Sequence, residues 1–298
     1  MQEQILANAT AGESTALSQP RPRSARFLRR LIRRPLALIG AVIVLLFLLT
    51  AVFGPMLAPH NPDYLDYSAV LAHPSASYPF GTDDTGRDIL SRIIAGARIS
   101  LTVGLVAVGT AMIIGTLVGL FAGYLGGWVD QVIMRLADVL LAFPDILLAI
   151  VIIAILGPGL VNVMIAVGVS AIPVYVRTVR AAVLSVREQE FVEAARALGA
   201  SSWRIMWSHI LRNVTAPIIV LATLGVGLSI LTAAGLSFLG LGAQPPTPEW
   251  GDMLNEAQTY LQQAWWMAVF PGAAIMLVVI GLNLLGDGLR DLLDPTIN

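Results

Sequence analysis

The 298-residue sequence contains no cysteine and no lysine, and it carries few charges of either sign. Without cysteine there is no disulfide framework, no thiol nucleophile and no cysteine metal site, and the chain offers no redox clue to its compartment. All 18 basic residues are arginine, a compositional bias to which no mechanism attaches. Charged residues make up 12% of the chain and the formal net charge is −1, which argues against nucleic acid as a partner. Catalytic constellations are missing too. There is no H-E-x-x-H, no G-x-S-x-G and no G-x-x-x-x-G-K-[ST] phosphate loop, and His60, His73 and His209 are scattered. The expectation is a chain with no catalytic residue, no cofactor and no metal of its own.

Apolar residues, by contrast, are abundant. At 56% of the chain they exceed what the core of a water-soluble domain needs, so a bilayer is the natural solvent. A helix needs about 20 apolar residues to cross the hydrocarbon core. Runs at roughly 36–58, 99–124, 136–157, 160–176, 214–241 and 266–286 predict an all-α, polytopic membrane protein with six transmembrane helices. The breaks between runs are turn-rich or polar, as in Pro59-His60-Asn61-Pro62, Gly157-Pro158-Gly159 and Gly242 to Trp250; the fourth run is short and contains Pro173. Residues 1–24, rich in Ala, Ser, Thr and Pro, read as a disordered tail. Residues 25–58 read as an anchor helix, 59–98 as an external loop with an amphipathic helix, and 99–298 as a five-helix core that includes a cytoplasmic loop over 186–212. The basic stretch before the first span is too long for a secretory signal and no A-x-A site follows, so a retained anchor is expected.

Arginine sets the orientation, because cytoplasmic flanks hold an excess of positive charge. With both termini cytoplasmic, 15 arginines lie inside and only Arg87, Arg92 and Arg98 outside.

Gly115, Gly119 and Gly123 recur every four residues in the second span and line up on one helical face, where another backbone can approach. Packing within the chain is the expected use, a subunit interface the alternative. Residues 188–212 form the longest cytoplasmic segment between spans. One amphipathic stretch holds Glu193, Ala194, Ala195 and Leu198, Gly199 breaks it, and Trp203 to Ile210 begin a second. Two short helices meeting at a glycine fit either a groove in a partner protein or the lipid headgroup layer, with Trp203 and Trp207 as anchors. The two readings are even at this point.

Ionisable residues within spans are costly and face polar interiors. Asp145, just after Pro144 in the third span, is a candidate for the solute pathway or for a water-filled vestibule, and Ser229 and Thr232 in the fifth span are further candidates. Arg135 and Asp138 are expected to pair with each other. In the outer loop, Gly86 to Ile99 reads as an interfacial helix with Arg87, Arg92 and Arg98 toward water or headgroups, contact with a solute-binding protein being the sharper alternative. The loop from Gly242 to Trp266 reads as an external gate or binding-protein platform, or as a surface cap anchored by Trp250, Trp265 and Trp266.

Four motifs occur in order: Phe80-Gly81-Thr82-Asp83-Asp84-Thr85-Gly86-Arg87-Asp88-Ile89-Leu90-Ser91-Arg92; Glu193-Ala194-Ala195 with Gly199; Gly235 to Gly251; and Gly286-Asp287-Gly288-Leu289-Arg290-Asp291 with Asp294-Pro295. With them the chain, over about residues 30–298, resembles permease subunits of binding-protein-dependent ABC importers, specifically the C-type subunit of the dipeptide/oligopeptide subfamily. The resemblance implies a type I importer permease fold. It also implies a coupling helix near residues 190–200, with Glu193, Ala194, Ala195, Leu198 and Gly199 docking into a cytoplasmic ATPase. The implied partners are two ATPase subunits, which bind ATP and Mg, a homologous second permease, an external solute-binding protein and membrane lipid, at the bacterial inner membrane. Di- or oligopeptides are the implied solutes, with glutathione or nickel complexes as alternatives. One departure is Arg212, after Ile210-Leu211, where the family commonly has proline. A stand-alone secondary transporter would show an internal repeat, and none is visible. The Gly286-Asp287-Gly288 triplet only weakly resembles an intramembrane aspartyl protease, since no partner aspartate lies at a matching depth.

Overall fold

The computed structural model describes residues 34–293; the expected tail over 1–24 and the Asp294-Pro295 motif lie outside them. Helices and connecting loops make up the fold: α1 (Pro35–Leu57), α2 (Ile89–Leu125), α3 (Gly127–Leu141), α4 (Asp145–Leu156), α5 (Leu160–Arg187), α6 (Glu190–Ala197), α7 (Ser202–Phe238), α8 (Trp250–Ala257) and α9 (Trp266–Leu293). Five of them, α1, α2, α5, α7 and α9, are long and apolar enough to cross a membrane, and α3 with α4 makes a sixth crossing only as a broken span.

The 37 residues of α2 rise about 55 Å, far more than a hydrocarbon core of roughly 30 Å requires. The helix begins ten residues before the expected 99 because Asp88 caps it, accepting from the Ser91 amide at 3.1 Å and the Ser91 hydroxyl at 2.6 Å. The separate amphipathic helix expected over Gly86 to Ile99 is therefore the first part of α2, and the expected boundary at residue 98 falls inside a helix. Those first turns join residues 59–88 and α8 in a lobe at one end of the bundle.

The most extensive packing joins α2 to α5. The glycine ladder makes it possible: a Cβ on Gly115 would come within 2.4 Å of Tyr175 Cβ, and one on Gly119 within 2.7 Å of the Val176 carbonyl oxygen. The ladder is thus used within the chain. In the same way α1 lies on α9, where a Cβ on Gly40 would stand 2.7 Å from the Gly281 carbonyl oxygen.

The third span, expected over 136–157, is not one helix. Proline disfavours helical backbone at the residue before it, so α3 ends ahead of Phe143 and Pro144, and α4 resumes at Asp145 with its axis turned by 91°. The 12 residues of α4 rise only about 18 Å. α3 is held to α5 by paired charges: the Arg180 guanidinium takes both oxygens of Asp130, Nη2 to Oδ2 at 2.6 Å, and Arg177 pairs with Asp138. The expected Arg135–Asp138 pair does not form because Asp138 is engaged across the helices.

Elsewhere the helices overrun the expected limits. α5 passes through Pro173 to Arg187, Pro173 being buried among neighbouring helices, and α9 continues to Leu293. The second short helix expected from Trp203 is the beginning of α7, which enters its span through a π-helical turn at Ile205–Ile210. Three apolar clusters hold the bundle: one at the lobe end around Trp250 and Trp266, one joining α2, α4, α5 and α7, and one at the opposite end joining α2, α5, α6 and α7.

Candidate functional site

The opposite end from the lobe carries α6. Its sequence suits a short helix, with Glu190 and Glu193 in the first turn and Arg196 in the last, complementing the helix dipole. It stops at Gly199, whose φ of +79° is a left-handed conformation. The Gly199 amide donates to the Arg196 carbonyl and the Ala200 amide to the Ala195 carbonyl, both at 3.0 Å, which makes a Schellman cap. A Cβ at Gly199 would meet nothing within 4 Å, so glycine is needed there for its backbone and not for space. Ser201 then caps the next helix through the Arg204 amide.

Of the residues expected to dock, Glu193, Ala194, Leu198 and Gly199 are exposed and Ala195 is half-buried, so the structure brings them together on one open surface. Leu198 is 89% exposed at the tip, an apolar side chain with no contact to cover it. The reverse side of α6 is anchored: Val192 is fully buried with Val186 of α5 and with Ile205, Ile210 and Val214 of α7. A push on α6 therefore bears on the π-helical turn, and π turns gather at functional positions because their extra residue loosens the hydrogen-bond ladder. Trp203 is exposed and Trp207 half-buried, their rings 5.3 Å apart.

The three pathway candidates are not gathered into one site. Asp145 is exposed at the α3–α4 elbow, in the first turn of α4. Thr232 is half-buried on α7, and Ser229 is buried on the same helix.

At the lobe end the first and third motifs meet in a buried ionic cluster. Arg87 Nε donates to Asp83 Oδ2 at 2.6 Å and Nη2 to Glu256 Oε1 at 3.1 Å. Arg92, fully buried, donates to Glu256 at 3.4 Å and to the Pro246 carbonyl at 3.3 Å. Glu249 caps α8 by accepting from the Asp252 amide at 2.9 Å and also accepts from the Ser100 hydroxyl at 3.2 Å. Trp250 Nε1 donates to the Ile93 carbonyl and Trp266 Nε1 to the Thr82 carbonyl, each at 3.0 Å. This corrects the expectation that Arg87 and Arg92 face water or headgroups and that Trp250 and Trp266 anchor the interface. Both arginines have carboxylate partners inside the lobe, and each indole NH finds a buried carbonyl. Arg98 and Trp265 are exposed as expected. Burial works against the Arg87 charge, but Asp83 and Glu256 outweigh it and hold the guanidinium above its ordinary value. Burial first, then the charges of Glu256 and Glu249, push the Asp252 carboxyl up to about 7.

Sequence reasoning missed the elbow, the π turn and the ionic cluster. The elbow had a signal in Phe143-Pro144, and the spacing of Asp83, Arg87 and Arg92 offered another. Glu256, more than 160 residues away, offered none.

Residues 115–298 match the family described as the binding-protein-dependent transport system inner membrane component, and residues 23–74 match the N-terminal TM domain of oligopeptide transport permease C. The chain is 53% identical over 267 residues to the dipeptide transport system permease protein of Alkalihalophilus pseudofirmus, covering 90% of this chain and 88% of that one. It is 47% identical over 277 residues to a probable D,D-dipeptide transport system permease protein of Escherichia coli, covering 93% of each. It is also 48% identical over 270 residues to the glutathione transport system permease protein of Pectobacterium atrosepticum, covering 90% of each.

Proposed function

The chain belongs to the family of binding-protein-dependent transport system inner membrane components, and on that premise we propose that it forms half of the translocation pathway of an ATP-driven importer for di- or oligopeptides. It is a multi-pass membrane permease subunit. The observation that carries the coupling role is α6 itself: an exposed tip at Ala194, Leu198 and Gly199 whose reverse side is wedged through Val192 against the foot of α7. A partner that grips the tip moves the span.

The chain has no phosphate loop, so ATP and its Mg ion bind to two cytoplasmic ATPase subunits that take Glu193, Ala194, Ala195, Leu198 and Gly199 into a cleft. A homologous second permease completes the pathway and an external solute-binding protein delivers the solute. The arginine bias supports an orientation with α6 and both termini in the cytoplasm of a bacterium and the lobe outside. Asp145 at the elbow and Thr232 line the path, with Ser229 buried beside it on α7. The relatives named for dipeptides and for glutathione, itself a tripeptide, support the peptide class.

Mild detergent extraction from the native membrane, followed by an ATPase assay with and without the external peptide-binding fraction, tests the proposal. Recovery of an ATPase and a second permease, with hydrolysis stimulated by peptide-loaded external protein, is the expected result. A chain that comes down alone, with no hydrolysis, returns a stand-alone transporter to the front.

A further inference from the structure

The buried end of α8 holds more acid than base. Asp83 and Glu256 pair with Arg87 and Arg92, while Glu249 and Asp252 are buried on the same helix as Glu256, so the cluster carries two carboxyls beyond its guanidinium partners. Glu249 is satisfied by the Asp252 amide and the Ser100 hydroxyl, and Asp83 by Arg87 and backbone amides. Asp252 is different: it is 3% exposed and its Oδ2 is buried without a hydrogen-bond partner. It stands between Glu249 and Glu256, three residues before and four after it, on one face of a short helix. No compensating charge approaches from behind, because α7 from Asn213 onward and α9 up to Gly286 carry no ionisable side chain. The cations that act on Asp252 are Arg92 and Arg87, which favour its charge but are outweighed by burial and by Glu256 and Glu249; elsewhere in the lobe Asp63 acts on Arg92, and Asp88 has the His60 ring at 3.3 Å.

We propose that Asp252 is a proton-binding site that latches α8 to the lobe: protonated, it lets the helix lie on α2 and α7, and its ionisation loosens the helix. The physical reason is the cost of a second buried carboxylate charge beside Glu256 and Glu249, without a further cation, in a region where Trp250, Met253 and Ala257 are buried against other helices. A loosened α8 opens the lobe where Glu256 holds Arg87 and Arg92 and the Pro246 carbonyl meets Arg92. External pH would then set how readily that end of the permease opens. The inference rests on the proposed orientation, with the lobe outside.

The absence of cysteine supplies the test. Single cysteines are placed at buried Met253 (Met253→Cys) and, as a reference, at Leu261 (Leu261→Cys), which is 51% exposed, in the assembled transporter in right-side-out vesicles. Labelling by a membrane-impermeant thiol reagent is followed from pH 5.5 to 8.5, and the Met253→Cys rate is divided by the Leu261→Cys rate to remove the reagent's own pH dependence. The ratio is expected to rise severalfold with a midpoint near 7. It should become flat and low with Asp252→Asn, and with Glu256→Gln the midpoint should move toward acid, since a like charge beside Asp252 is gone. A flat ratio in the native background, or the same rise in the Asp252→Asn background, overturns the proton site while leaving the importer reading intact. No labelling of Leu261→Cys from outside overturns the orientation and the latch with it.

Discussion

Gly199 offers the sharpest test of the docking loop, because the structure contains a matched control. Gly199 ends α6 at φ +79° and Gly240 ends α7 at φ +77°; both make Schellman caps, and a Cβ at either meets nothing within 4 Å. An alanine at either position therefore introduces the same perturbation, the left-handed strain of a side chain, about 1 kcal/mol, with no steric clash added. At Gly199 that energy opposes the capped end of the helix that presents Leu198 and Glu193. If the ATPase recognises only the capped form, docking weakens by at most roughly fivefold, since about 1 kcal/mol is that factor at room temperature. Gly199→Asn, which tolerates the left-handed region better, should restore most of the loss. Gly240→Ala should lower thermal stability by a similar amount and leave coupling alone. The assay is the ratio of peptide taken up to ATP hydrolysed in proteoliposomes, beside ATPase affinity measured by titration. Equal effects of Gly199→Ala and Gly240→Ala on the coupling ratio, or none at Gly199, would refute the assignment of α6.

Arg92→Leu should destabilise the lobe by about 3–5 kcal/mol, because it leaves Glu256 and Asp83 with one guanidinium fewer in a buried site; thermal unfolding in detergent measures it. Gly119→Ala should be severely destabilising, with its Cβ driven to 2.7 Å from the Val176 carbonyl oxygen, whereas Gly109→Ala, which faces open space, should change the melting temperature little. Because Asp252 sits near 7 in the folded lobe against 3.8 for an ordinary aspartate, the folded state binds the proton more tightly. Lobe stability should fall as pH rises from about 4 to 7 and level off above, and Asp252→Asn should remove that slope in melting curves. Asp145→Asn should lower peptide uptake with hydrolysis unchanged, and normal uptake kinetics would place the carboxylate outside the path.

How much was legible depends on the range of the interactions. Five of the six apolar runs, the glycine ladder and the break at Gly199 are local patterns that return in the structure as helices, a close helix pair and a cap, whereas the third run returns as the broken pair α3 and α4. The helix ends were less legible where hydropathy stops but hydrogen bonding continues. α2 starts at the Asp88 cap within a polar stretch, and α5 and α9 run on beyond their apolar segments to Arg187 and Leu293. Hydropathy also hid the 91° elbow, since an average over about 20 residues stays apolar across Pro144 and Asp145 and only the backbone rule at proline breaks the span.

Composition, spacing and a helix-ending glycine act within a few turns, so the bilayer environment, the glycine faces through which helices approach and a short helix ending at Gly199 could all be read from the chain before it folds. Only the tertiary structure decided what Arg87 and Arg92 do. A charged side chain in a polar motif reads as solvated until a distant carboxylate is brought to it, and Glu256 reaches them only when α8 folds back on α2. The same holds for Val192, whose burial ties α6 to the foot of α7.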